Sequence, residues 1–317
     1  MKSAVRFSFG SFSFNSWILL SSLLLSPSAL SQDSMAQSAR VDSRQDTLNA
    51  VNVGAVAPSV RWYTMFENMP KDWNRWGKAS FRSETATDWA AISALTAVLI
   101  ATDDATYSPS QRFYNSSSSA KKWSDFCADI GDGRTQFTLA GTFAAYGLLF
   151  DDNRAWRTGS QIVEAVLASG AVVQVMKHVT GRESPYVRSV PLGRWSAFPN
   201  QIDYHRYVPY YDAFPSGHIC TSLATVIVIA ENYPEEHWIR PVGYVFTTLV
   251  GVGMANNGIH WYSDYPLGLF IGYYFGMLAS HPERWIGVES PSSTDTRVSF
   301  LPTFTTRGAG FSLTVSF

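Results

Sequence analysis

The sequence predicts an all-α protein: a compact bundle of about six core helices, followed by a short C-terminal β-hairpin. Three observations carry this reading. Apolar segments recur at Trp89–Thr102, Phe137–Phe150, Gln161–Lys177, Ile219–Ala230, Val242–Ala255 and Pro266–Ser280. None alternates with period two and each is longer than an ordinary strand, so each is expected to be a helix. Most run about 12–17 residues, near or below the lower end of a bilayer-spanning length. Asp88, Asp103, Asp151 and Asp152 bracket the first two closely, which favours a compact bundle, soluble or resting on a membrane, over six full spans. The tail behaves differently: Val298, Phe300, Phe311, Leu313, Val315 and Phe317 alternate with small polar residues around Arg307-Gly308-Ala309-Gly310, the pattern of a hairpin.

The elements fall into four stretches. Residues 1–31 combine Lys2 and Arg6, an apolar run from Trp17 to Leu25, and a small-residue cleavage pattern at Ala29-Leu30-Ser31, which together read as a signal peptide. The run is too short for a span that stays, so the mature chain is expected in the periplasm, with membrane association left open. Residues 32–84 begin as a polar tether. They end in an amphipathic stretch where Trp62, Tyr63, Phe66, Trp73, Trp76 and Phe81 interleave with Lys, Arg and Asp. Such a stretch suits a bilayer interface, and equally a short helix covering the core. Residues 85–282 form the helical domain, and 283–317 a Ser/Pro/Thr-rich linker with the hairpin.

Composition narrows the function classes. The 317 residues are 46% hydrophobic, 15% aromatic and 15% charged, which excludes a disordered chain. Lys+Arg 24 against Asp+Glu 25 leaves a net charge of −1 with no basic block, so nucleic acid is not an expected partner. A mean hydropathy of −0.04 lies between those of soluble enzymes and proteins made mainly of spans. The two cysteines, Cys127 and Cys220, could pair in an oxidising compartment, but each sits in an apolar context that suits a small buried residue.

Chemistry concentrates at helix ends. Lys177-His178-Val179-Thr180-Gly181-Arg182-Glu183-Ser184-Pro185 closes the third apolar segment. Lys177 and Arg182 there can donate to phosphate oxygens, although a lysine at a helix C-terminus can also simply offset the helix dipole. Phe214-Pro215-Ser216-Gly217-His218 opens the fourth segment. Its unbonded first-turn amides, with the Ser216 hydroxyl and Gly217, make an anion cradle, and His218 at the rim could protonate a leaving oxygen. Gly258-Ile259-His260-Trp261-Tyr262-Ser263-Asp264 lies between the fifth and sixth. There Asp264 can hold one His260 ring nitrogen and leave the other free as a nucleophile, though a lone His-x-x-x-Asp is often only a local hydrogen bond. A metal site from His260 and Asp264 lacks a clear third ligand. His178, His205 and His237 have no such context. The long connection Tyr186–Asp212, carrying Arg188, Arg194 and Arg206 among Trp and Tyr residues, reads as a functional cover.

The order and spacing of these clusters resemble the type 2 phosphatidic acid phosphatase superfamily, which also contains vanadium haloperoxidases and bacterial acid phosphatases. The resemblance spans roughly residues 85–282. It rests on Lys177 and Pro185 of the first motif, Pro215-Ser216-Gly217-His218 of the second, and His260 and Asp264 of the third. It implies an all-α bundle and a metal-independent, cofactor-free phosphatase acting through a phosphohistidine. By that analogy His260 is the nucleophile, Asp264 its partner and His218 the acid, while Lys177, Ser216 and Gly217 bind phosphate. The chain departs from the pattern at Ser184 and at Gly253-Met254, where the family carries phosphate-clamping arginines; Arg182 is the expected partial substitute. The expected activity is hydrolysis of a phosphomonoester or diphosphate, of a lipid or prenyl phosphate in particular, beside a membrane surface. The alternative is a non-catalytic or weakly active member that binds an anion or a partner. A vanadate-dependent peroxidase is least favoured, because vanadate retention calls for more cations.

Overall fold

A computed structural model describes residues 63–282, 297–305 and 308–316. The expected signal peptide and polar tether through residue 62, and the linker at 283–296, lie outside these residues. Among the described residues the helices are α1 Thr64–Ser80, α2 Ala86–Tyr114, α3 Ser118–Ile130, α4 Gly133–Leu149, α5 Asn153–Thr180, α6 Gln201–Arg206, α7 Gly217–Asn232, α8 Ile239–Asn256 and α9 Tyr265–Ser280. Arg297–Thr305 and Gly308–Ser316 run as an antiparallel strand pair.

Local chemistry sets the helix limits. The Asp152 carboxylate accepts the Arg154 and Ala155 amides and starts α5. Gly181, at φ +53°, ends it in the left-handed conformation that favours glycine. Ser117 and Asp132 cap α3 and α4 in the same way, each accepting an amide of the first turn. Two helices run well beyond their apolar segments. Asp103 does not bracket α2 but lies inside it, and α5 continues to Thr180. By length and composition alone, the stretch Ser83–Tyr114 and α5 could each cross a membrane.

The core forms around α7, which packs against α5, α8 and α9. Ile162, Ala165, Ala224 and Val228 make one buried cluster, and Ala168, Val173, Cys220, Ile271 and Phe275 another. Cys127 and Cys220 are both buried and unpaired. The α7–α9 contact is unusually close. A Cβ at Gly268 would lie 2.7 Å from the Ser216 carbonyl oxygen, and one at Gly272 would run into the Cys220 carbonyl. Helix α1 lies on α5: Asp72, Arg75 and Ala79 are buried, Asn68 donates to Glu164, and the Trp73 indole donates to the Ala168 carbonyl. The core-covering role considered for this stretch is therefore present, while Phe81 at its end is 92% exposed.

Candidate active site

The second and third motifs meet at the α7–α9 contact. The Ser216 amide donates to the Asp264 carbonyl at 3.0 Å, tying the start of α7 to the start of α9. His218 stands one residue inside α7, and His260 lies on the turn between α8 and α9. Their ring centroids are 6.0 Å apart. This turn is not α-helical; it ends in a single 3-10 turn, Tyr262–Asp264. The Ile259 and His260 amides both reach back to the Met254 carbonyl, Gly258 takes φ +79°, and the Asp264 Oδ2 accepts the Trp261 amide at 2.8 Å. The His260–Asp264 pairing, with Nδ1 3.3 Å from Oδ2, comes from this capping turn rather than from one face of a helix.

The first motif arrives from the end of α5. Lys177 is buried and its Nζ donates to Asp212 Oδ2 at 2.9 Å. A Cβ on Gly217 would lie 3.9 Å from that ammonium, so the lysine and the opening of α7 sit side by side. Ser216 is fully buried, and its Oγ has no hydrogen-bond partner among the described residues. Lys177, Ser216, Gly217, His218, His260 and Asp264 are thus brought to one place.

Arg182 is nearby but faces elsewhere. It is fully buried behind Asp264, where NH1 donates to Asp264 Oδ1 at 2.5 Å and to Ser263 Oγ at 2.6 Å. NH2 donates to Asp103 Oδ2 at 2.7 Å and to the Leu192 carbonyl at 3.1 Å. A guanidinium committed to two carboxylates holds the third motif rather than replacing a phosphate clamp. The positions read as lost arginines are also occupied differently. Met254 is fully buried in a cluster with Ala128, Ile219, Val250 and Tyr265, and Ser184 is buried with its amide donating to the Pro209 carbonyl.

The sequence alone assigns no site role to Asp103, Asp212, Tyr204 or Ser263. Asp103 carries a signal, a carboxylate inside an apolar run, but reads there as a helix boundary. The covering segment is held by its own polar contacts. The Glu183 carboxylate accepts the Ser189 amide and hydroxyl and the Arg194 amide. The Tyr204 hydroxyl donates to Asp212, and its ring stacks on His178 at 3.9 Å. Of the loop arginines, Arg188 is engaged by Asp104 at 2.8 Å.

Burial, reinforced by the proximity of His260 and Lys177, pushes the His218 pKa from 6.5 down to about 3. Between these values the unfolded chain binds the proton more readily than the folded one. Stability is therefore expected to fall as pH drops through this window. A phosphate-like dianion seated beside Lys177 would reverse the local field. Histidine NMR titration is accordingly expected to show the His218 midpoint rising towards neutrality when orthovanadate is added. An unmoved midpoint at saturating vanadate would place the anion away from His218.

Residues 159–285, which contain all three motifs, match the family model of the PAP2 superfamily. The match supports a phosphatase of that superfamily. Among solved structures, the chain is similar to a transmembrane PAP2 type phosphatidylglycerolphosphate phosphatase from Bacillus subtilis, with a TM-score of 0.46 and 16% identity, covering 62% of this chain and 96% of that one. No curated protein matches.

Proposed function

We propose that the protein hydrolyses a phosphomonoester or diphosphate through a phosphohistidine on His260, without a metal. The observation that carries this reading is the facing of two imidazoles, His218 and His260, across 6.0 Å beside a buried lysine and a helix N-terminus. In the proposed reaction the His260 Nε2 lone pair attacks phosphorus as the ester P–O bond breaks. His218 gives its proton to the departing oxygen. Asp264 keeps the proton on Nδ1, so that Nε2 is the nucleophile and the charge developing on the ring is balanced. Water then attacks phosphorus, His218 takes its proton, and the P–N bond breaks to release phosphate. Lys177, the Ser216 hydroxyl and the first amides of α7 would hold the phosphoryl oxygens. The unpartnered Ser216 Oγ supports this cradle.

A lipid or prenyl phosphate is the substrate class this reading favours. An apolar groove of about 840 Å³ runs between α4, α7 and α8, lined by Leu139, Phe143, Val226, Ile229, Val242 and Phe246. Its lining also includes Ile130 and Val250, beside Gly131, where an added Cβ would also meet the His218 Cβ at 3.3 Å. A chain in the groove would therefore lead to the candidate acid. Exposed apolar side chains such as Val98, Leu148, Leu149 and Phe150, from 62% to 79% exposed, support membrane association. A periplasmic location completes the proposal.

One observation favours a second reading, an anion-binding member with little turnover: the Asp212 carboxylate sits on the lysine expected to bind phosphate. Phosphate release from a panel of lipid and soluble phosphomonoesters and diphosphates separates the two. Turnover is expected for long-chain substrates above short-chain ones. Vanadate binding with no hydrolysis of any member would favour the second reading.

A further inference from the structure

Helix α2 is attached to the bundle in a peculiar way. Of its 29 residues, from Ala86 to Tyr114, only Asp103 and Ser110 are buried. An apolar helix that buries a carboxylate and leaves Val98 exposed is not held by hydrophobic packing alone. The carboxylate itself makes the contact, 1% exposed, and it lies outside the stretch that matches the family.

The partners of Asp103 all belong to the machinery around His260. Its Oδ2 accepts Arg182 NH2 at 2.7 Å and Ser263 Oγ at 2.5 Å, and its Oδ1 accepts the Ser263 amide at 3.4 Å. Arg182 NH1 reaches Asp264 Oδ1, leaving Asp264 Oδ2 to the Trp261 amide and the His260 Nδ1. The guanidinium lies 4.7 Å from the Trp195 ring centroid and 5.2 Å from that of Trp261, so aromatic faces confine it. The result is a continuous buried chain, Asp103–Arg182–Asp264–His260, with Ser263 bracing its first link.

We infer that Asp103 and Arg182 are positioning residues for His260, acting through Asp264, so that α2 completes a site whose motifs lie elsewhere. This rests on the proposed role of His260. Two effects follow from the geometry. Arg182 fixes one Asp264 oxygen and so aims the other at Nδ1. Asp103 returns the negative charge that Arg182 would otherwise cancel. Two carboxylates around one guanidinium leave the cluster with a net negative charge behind a ring that becomes cationic during attack.

Asp103→Asn keeps the shape and removes the charge. Three readouts are expected: phosphohistidine formation in rapid quench slower by roughly 10–100-fold; vanadate affinity within about threefold of the parent, since neither residue is proposed to touch the anion; and an upfield shift of the His260 Nδ1 proton resonance by NMR, because Asp264, now facing Arg182 alone, accepts that hydrogen bond more weakly. The groups facing that ring are Asp264, His218 and Tyr265, with Lys177 beside His218 and the Arg182–Asp103 pair behind Asp264. Arg182→Lys, which keeps the charge but loses the fork, is expected to slow phosphohistidine formation without moving vanadate affinity. It also serves as the second variant should Asp103→Asn fail to fold. A folded Asp103→Asn protein with parental rate and a parental His260 Nδ1 proton resonance overturns the inference, as does loss of vanadate affinity parallel to loss of rate in Arg182→Lys. The NMR resonance needs no turnover. Should the parent itself form no phosphohistidine, the nucleophile reading fails on that result alone, and the coupling of Asp103 to His260 is still decided.

Discussion

His260→Ala is expected to abolish both hydrolysis and the phosphorylated histidine trapped by rapid quench with labelled substrate. Removing a covalent nucleophile costs on the order of 10⁴–10⁶ in turnover, because what remains is only binding and electrostatic stabilisation of attack by water. His260 is 2% exposed and sits on a turn fixed by its own backbone hydrogen bonds, so alanine leaves the scaffold in place. Vanadate affinity therefore serves as the folding control, expected to weaken but not vanish while Lys177 and the α7 amides persist. His218→Ala supplies the complement. Its rate loss is expected to be greatest for substrates with poor leaving groups, since a good leaving group departs without a proton. Unchanged hydrolysis in His260→Ala would remove the covalent mechanism altogether.

Met254→Arg carries the second large effect. Motif spacing places an arginine of the family pattern here, and by that logic the substitution would restore a phosphate clamp. The fold argues the opposite. Met254 is fully buried among Ala128, Ile219, Val250 and Tyr265, and a Cβ on the adjacent Gly253 would lie 2.5 Å from the Ser124 carbonyl oxygen. A guanidinium forced into that cluster meets apolar side chains on a fully buried site. An uncompensated buried charge costs about 3–5 kcal/mol. In a protein of this size each kcal/mol shifts Tm by roughly 2–4 °C, so a fall on the order of 6–20 °C is expected. Thermal unfolding of the parent and the variant measures it. A variant with parental Tm and tighter vanadate binding would show that position 254 faces the anion after all.

These two expectations mark what could be read from the chain alone. The six apolar segments are all helices, and the motif residues Lys177, Ser216, Gly217, His218, His260 and Asp264 do converge, because each lies at or beside a helix end. Segment lengths were harder to read. A carboxylate in an apolar run marks a boundary when it faces water, yet Asp103 stays inside α2 because its partner is Arg182, 79 residues away. Helix α3 is hidden in the sequence because Lys121, Lys122 and Asp125 interrupt its apolar positions; it packs mainly against α8, with a smaller contact to α2. Arg182 shows the same limit at the site. Its residue type and its place after Lys177 fit a phosphate donor, but the direction of a long side chain depends on which carboxylates the fold brings within reach. The motif spacing likewise could not reveal that position 254 turns inward.

The glycine contacts between α7 and α9 have a mechanical consequence. Where two helices touch backbone to backbone, there are no intervening side chains whose rotamers could absorb a sliding motion. The helix bearing His218 and the helix begun by Asp264 are therefore expected to move as one body, locked further by the Ser216–Asp264 backbone bond. Whatever rearrangement admits a substrate must then occur around this block, in the covering segment between Tyr186 and Asp212 and in the Lys177–Asp212 latch that closes it.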